Sequence, residues 1–242
     1  MLLQGRETMQ KLALFFCTFT TLCALTWAQA YPGAQTQQQP SSQTPPAGQM
    51  TPGQGMVTAD PSAQLHRDMR KLWTDHVVYT RDFIIAATEN PSDVSAVTNR
   101  LMKNQEDIGD AISKFYGRPA RSQLTSLLKQ HIQIAANLVK AAVAKDESAK
   151  QQADQQWHQN AQQIAAFLSQ ANPNWAQATL MDLMAGHLQT TSDELKARLS
   201  KDWNGDVQAY DAVYNHILRF SDALSDGIVK QFPDKFPVHA SL

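Results

Sequence analysis

The sequence predicts an all-α protein, an antiparallel six-helix bundle, and three observations carry that expectation. From about Ala63 onward, apolar residues recur at alternating intervals of three and four, the period of one helix face. Glycine is scarce, with 10 in 242 residues, and more than half of the prolines precede the periodic region. So long a stretch with few breakers favours helix over a β design with many turns. The gaps between periodic segments are only a few residues long, which makes consecutive helices antiparallel neighbours.

The chain opens with a different pattern. Residues 12–27 are almost wholly apolar behind Lys11, and Ala28 and Ala30 place small side chains where a signal peptidase reads them. Residues 1–30 are therefore read as a signal peptide. The mature chain is expected to be exported, to the periplasm or cell exterior, with no transmembrane span. Both cysteines, Cys17 and Cys23, fall in the leader, and neither follows the small residues of a lipobox. The mature chain then holds no disulfide, no Cys-ligated zinc and no thiol nucleophile. Residues 31–61 are rich in Gln, Pro, Ser and Thr and have almost nothing to bury, so they are read as a disordered linker. The bundle domain is placed at 62–242.

Within it, helix one carries Leu65, Met69, Leu72, His76, Thr80, Phe83 and Ala87. Helix two carries Val94, Val97, Leu101, Asn104, Ile108, Ala111 and Phe115. Helix three carries Leu124, Leu127, His131, Ile134 and Leu138, and helix four Ala153, Trp157, Asn160, Ile164 and Phe167. Helix five carries Leu180, Met184, His187, Thr191 and Leu195, and helix six Val213, His216, Phe220, Leu224 and Ile228. The boundaries have matching chemistry. Pro91 opens helix two and Gly117 closes it, with Pro119 near the next start. Asp146 caps helix four, Asn172-Pro173 ends it, and Asn174 with Gln177 reads as a capping box for helix five. Asn204-Gly205 is expected to separate helices five and six, and Pro233 ends the last.

Helices two and three repeat as helices four and five at an offset of 56 residues. Asn104 falls on Asn160 and His131 on His187, while Leu101, Ile108 and Leu124 fall on Trp157, Ile164 and Leu180. Apolar matches are expected of any two helical hairpins. Two polar residues matching at the same offset argue for a tandem hairpin duplication, with helices one and six flanking it.

Each helix carries one polar residue within its apolar stripe: His76, Asn104, His131, Asn160, His187 and His216. All lie near mid-helix, so an antiparallel bundle brings them to similar heights as one layer. Burying an imidazole or amide costs a few kcal/mol unless it is paired. Three arrangements supply partners. His and Asn can bond one another and Thr80, Thr190 or Thr191, fixing helix register. Neutral His76, His131, His187 and His216 can hold a metal or haem iron, with Asp107 the nearest carboxylate. The six can also line a core site for a small polar or anionic ligand, aided by Arg81 one turn from His76. The sequence lacks Glu-x-x-His, His-Glu-x-x-His and Cys-x-x-Cys-His, the patterns that make bundle metals and covalent haem recognisable.

Other classes have less support. A net charge of -1 without a basic stripe argues against nucleic acid as a partner. No nucleophile elbow, phosphate-cradling loop or paired-carboxylate motif points to an enzyme. Trp73, Trp157, Trp175 and Trp203 read as packing anchors, and the two Phe of the tail, Phe232 and Phe236, as residues that fold back on the bundle.

One resemblance covers nearly all of the foldable chain. It rests on Leu72-Trp73-Thr74-Asp75-His76-Val77-Val78-Tyr79-Thr80-Arg81, on Asn104-Gln105-Glu106-Asp107-Ile108-Gly109, and on Leu127-Leu128-Lys129-Gln130-His131-Ile132. Ala209-Tyr210-Asp211, His216-Ile217 and Gln231-Phe232-Pro233-Asp234-Lys235-Phe236 complete it. In these segments the chain resembles a family of uncharacterised bacterial helical-bundle proteins, some of which carry glycosyltransferase-type names. The resemblance implies a compact helical fold and no established activity; a nucleotide-sugar enzyme calls for an α/β fold and an acidic metal motif. The functional expectation is an exported, non-enzymatic binding or envelope-associated module whose partner is an envelope protein or a small ligand. Its alternative is a bundle holding a metal or haem in the His/Asn layer, and an enzyme stands third.

Overall fold

The computed structural model describes residues 60–89 and 92–237. The expected leader lies outside the described residues, as does the expected linker up to residue 59. The described residues form five α-helices and a short 3-10 turn, with no strand among them. The helices are α1 (Pro61–Glu89), α2 (Val94–Ala144), α3 (Glu147–Ala171), α4 (Gln177–Leu199) and α5 (Trp203–Gln231).

α1 begins one residue ahead of the expected boundary at 62. Asp60 Oδ1 accepts from Ser62 N at 3.0 Å. Pro61 takes the first helical position, where a missing N–H costs nothing.

The helices expected as two and three are one element, α2, interrupted at Gly117. Its backbone (φ 79, ψ 178) is a conformation that side chains strain to adopt. The two halves fold against each other there. Lys129 reaches Glu106 at 2.5 Å, whereas 23 residues of straight helix span about 35 Å. Pro119 fits just beyond the break because the first turn of the second half needs no N–H from it.

Lys145, in the left-handed region at φ 57, turns the chain into α3. Asp146 caps that helix as expected, its carboxylate accepting from Ala149 N at 3.0 Å. Two other turns differ from expectation. The Asn174/Gln177 capping box does not form. Ala176 is the N-cap residue of α4, and Asn172 organises the turn instead by accepting from Asn174 N at 2.8 Å. The break before α5 is at 200–202, not at Asn204-Gly205. Lys201 takes φ 57, and Asp202 caps the helix by accepting from Gly205 N at 2.9 Å. A carboxylate cap three residues ahead of a glycine outweighs the turn propensity of Asn-Gly.

α1 packs on α2 and α5, α2 on α3, α3 on α4 and α4 on α5, which closes a ring around one apolar core. The tail folds back as expected. Phe232 and Phe236 lie 5.6 and 5.8 Å from Phe115, ring centre to ring centre, and Phe232 lies 5.4 Å from Tyr116.

Trp73, Trp157 and Trp175 are buried as expected, but Trp203 is 50% exposed. Trp175 lies directly over Gly227 of α5, where any Cβ would fall inside the indole. Gly227→Ala is expected to cost about 1–3 kcal/mol by overpacking. In a thermal melt that lowers Tm by several degrees; a Tm within about one degree of wild type would contradict the close approach.

Candidate functional site

All six layer residues are buried. They divide into an inner trio of imidazoles and an outer set that reaches across to neighbouring helices.

His76 on α1, His131 on the second half of α2 and His187 on α4 meet at the centre. The His76 and His187 rings are 5.5 Å apart, and those of His131 and His187 are 5.9 Å apart and stacked. The outer set are second-helix residues that donate to a backbone carbonyl of the preceding helix. Asn104 Nδ2 donates to Leu72 O at 2.9 Å, and Asn160 Nδ2 to Leu127 O at 3.1 Å. His216 Nε2 donates to Leu183 O at 2.7 Å. A carbonyl only accepts, so His216 carries its proton on Nε2. Its Nδ1 is left to accept from Arg219 Nη2 at 3.3 Å.

The same logic fixes the tautomer of His131. Trp157 Nε1 has only a hydrogen to give, and it donates to His131 Nε2 at 2.9 Å. The proton is then on Nδ1, which donates to Asn160 Oδ1 at 2.8 Å. Trp157, His131, Asn160 and the Leu127 carbonyl thus form one directed chain, and both ring nitrogens of His131 are occupied.

His76 has a less complete set. Gln105 Nε2 lies 3.3 Å from its Nδ1 and also donates to Leu101 O at 2.8 Å and to Asn104 Oδ1 at 3.1 Å. Gln105 is fully buried and is a member of the layer that the stripe reasoning missed. Two buried atoms of the layer have no hydrogen-bond partner, His187 Nδ1 and Gln105 Oε1.

The threonines proposed as partners do not join the layer. Thr80 and Thr191 donate back along their own helices to His76 O and His187 O, at 2.7 and 2.9 Å, and Thr190 to Gly186 O at 2.9 Å. The long polar side chains outcompete them because a threonine hydroxyl reaches its own helix more readily than another.

Burial sets the electrostatics of the trio. It disfavours the imidazolium and pushes His76 down to about 3, helped by His131, and His131 down to about 4. His187 is pushed well below the usual range by burial and then by the other three histidines. The three rings are therefore neutral at pH 7.

The space they enclose with Trp73, Met184 and Phe220 is about 10 Å³. That is at the lower limit for a single water. A second void, of about 30 Å³, lies among Phe83, Ile84, Leu138 and Trp157 and is apolar. Among the described residues no three His, Cys, Asp or Glu side chains are grouped as metal ligands. Asp107 lies on the surface, bonded to Lys103 at 2.5 Å.

Arg81 does not point to the trio. It belongs to a separate charged cluster at the far end of the bundle, where α1 ends and α5 begins. Arg81 Nη1 donates to Glu194 Oε1 at 2.6 Å, and its two terminal nitrogens reach both Asp206 oxygens at 3.0 Å. Arg198 Nη1 also donates to Asp206, at 2.9 Å, and its Nη2 pairs with Glu89 at 2.9 Å. Tyr210 lies under Arg81 and Trp203 under Arg198, at 4.7 and 5.1 Å. Neither Glu194 nor Asp206 stands out in the sequence. Both are buried.

Among the described residues, no helix is long and apolar enough to cross a membrane. Comparison of the chain with family models, with curated proteins and with solved structures gives no match.

Proposed function

We propose that this chain is an exported, non-enzymatic helical-bundle module that meets an envelope protein or a small ligand at its surface, with the buried His/Asn layer serving register. The observation that carries this reading is the Trp157–His131–Asn160–Leu127 chain. Its hydrogen bonds are spent between helices, and the space beside it is about 10 Å³. Such a network specifies which helices adjoin and at what height. Export rests on the apolar leader pattern of residues 12–30 and on the linker composition that follows. Membership of the bacterial helical-bundle family rests on the motifs around His76, Asn104 and His131.

We read the bundle as six helical rods arranged as three tandem hairpins. The unit starts one helix earlier than the sequence reading placed it. Asn104, Asn160 and His216 stand 56 residues apart and make the same bond to Leu72, Leu127 and Leu183. His76, His131 and His187 stand 55 and 56 residues apart and meet at the centre. In this reading each hairpin supplies one inner imidazole and one outer donor, so no helix is left over as a flank.

One observation favours the alternative, a metal- or haem-holding bundle: His187 Nδ1 has no hydrogen-bond partner. Elemental analysis and an absorbance spectrum of the full chain, purified without chelator, separate the two readings. The expected result is no stoichiometric metal and no haem band, with Tm unchanged by zinc or copper. A stoichiometric metal that disappears in His187→Ala would overturn the structural role.

A further inference from the structure

The three-hairpin reading supplies an internal control for the charged cluster, and the inference below rests on it. Position 194 in the third hairpin corresponds to Leu138 in the second and Phe83 in the first, at the same spacing of 56 and 55 residues. All three side chains are buried. Two of the three equivalent sites are therefore filled by large apolar groups, and the fold does not require a carboxylate there. Arg81 likewise corresponds to Ala136 and Ser192. The Arg81–Glu194 pair therefore has no counterpart at the two equivalent places, Ala136 with Phe83 and Ser192 with Leu138.

The carboxylate is also incompletely paired. Glu194 is 1% exposed; Oε1 is bonded to Arg81, and Oε2 has no partner. A buried oxygen without a partner is costly when it carries charge and much less so when the group is neutral. The cluster spans three elements. Arg81 comes from α1, Glu194 and Arg198 from the end of α4, and Asp206 from the first turn of α5. The turn at 200–202 joins the α4 and α5 members of the cluster and is held by Asp202 N to Ala197 O at 3.0 Å and Lys201 N to Arg198 O at 3.1 Å.

We propose that Glu194 is a proton-operated clasp: protonated, it lets the α4–α5 end close on α1, and ionised, it drives that end to open to water.

Every charged or titratable neighbour facing it is accounted for. Among the described residues, Arg81 is the only cation in direct contact, and it is shared with Asp206. Burial alone would raise Asp206, but its bonds to Arg81 and Arg198 hold it below the usual carboxylate range. It therefore stays ionised and opposes a second negative charge. Arg198 is turned toward Asp206 and Glu89. Tyr210 is raised, first by burial and then by Glu194, and stays neutral. Against these, burial dominates for Glu194 and pushes it up to about 7.

A carboxyl that titrates higher in the closed state than in the open one favours closure in acid. That advantage fades as pH rises from about 4.5 toward 7 and is gone above it. Opening of the turn should therefore rise about tenfold between pH 6 and pH 8.

The test is hydrogen exchange by mass spectrometry on the full chain, corrected for intrinsic rates, over amides 197–206. Glu194→Leu places at 194 the residue that fills the equivalent site at 138. The expected result is a tenfold rise in turn opening for wild type and no pH dependence for Glu194→Leu. Equal slopes in the two proteins would overturn the clasp. Failure of Glu194→Leu to fold would instead remove the equivalence of positions 138 and 194. The isosteric Glu194→Gln then decides: a flat profile supports the clasp, and a wild-type slope overturns it.

Discussion

Acidification from pH 7 to about pH 3.5 is expected to unfold the domain, with a cooperative midpoint between about pH 4 and 5.5. His76 and His131 bind protons in the fold only at about 3 and about 4, and burial holds His187 well below the usual imidazole range. In the unfolded chain they bind at about 6.5. The unfolded state therefore takes up three protons that the fold refuses, and stability that is complete above pH 6.5 is lost below it. Glu194 acts the other way over part of this range, because the fold holds its proton up to about 7. A net of two protons corresponds to roughly 2.7 kcal/mol per pH unit. Over two units that is about 5 kcal/mol, comparable with the whole stability of a typical domain. Far-ultraviolet circular dichroism during an acid titration checks it. His187→Leu removes one proton site and the unpartnered Nδ1, so its acid midpoint should move lower. A domain still folded at pH 3.5 would contradict the buried neutral trio.

Arg81→Met is expected to be the most damaging single change in the charged cluster at alkaline pH. It removes the direct cationic partner of Glu194 and one of the two partners of Asp206, whose side chains are nearly inaccessible. Breaking a buried ion pair from one side costs about 3–5 kcal/mol, because the remaining charge stays desolvated. The loss should be largest near pH 8 and smaller near pH 5.5, where Glu194 takes up a proton. Urea denaturation at the two pH values measures both. A loss under about 1 kcal/mol at pH 8 would place the pair among weakly contributing surface bridges.

How much of this was visible in the sequence depends on how local the signal is. The helices were, because their apolar stripes are continuous and period alone identifies a buried face. The six polar residues interrupting those stripes were also visible, and all six are buried. Which atoms they bond was not. The trio meets across three helices, and the threonines, near in sequence, turn to their own backbones.

Gln105 was hidden by standing beside Asn104, since adjacent helical residues do not share a face. It reaches the layer through the length of its side chain. Glu194 was hidden differently. In Ser192-Asp193-Glu194 it looks like solvated surface, and its burial shows only by comparison with Leu138 and Phe83, the positions that the proposed repeat would make equivalent. The turn before α5 was misplaced because Asn-Gly is a strong local signal. The deciding interaction, Asp202 with the Gly205 amide, puts that dipeptide inside the first turn of a helix.

Nitrogen-15 NMR of the imidazole rings in the full chain, between pH 7.5 and 5.5 and with added zinc, tests the central claim most directly. The expected spectrum has His131 as the neutral tautomer protonated on Nδ1, donating to Asn160. It also shows no titration of His76, His131 or His187 in that range and no response to zinc. Titration of any of the three near pH 6.5, or a zinc-dependent shift of their nitrogens, would contradict a sealed, structural layer.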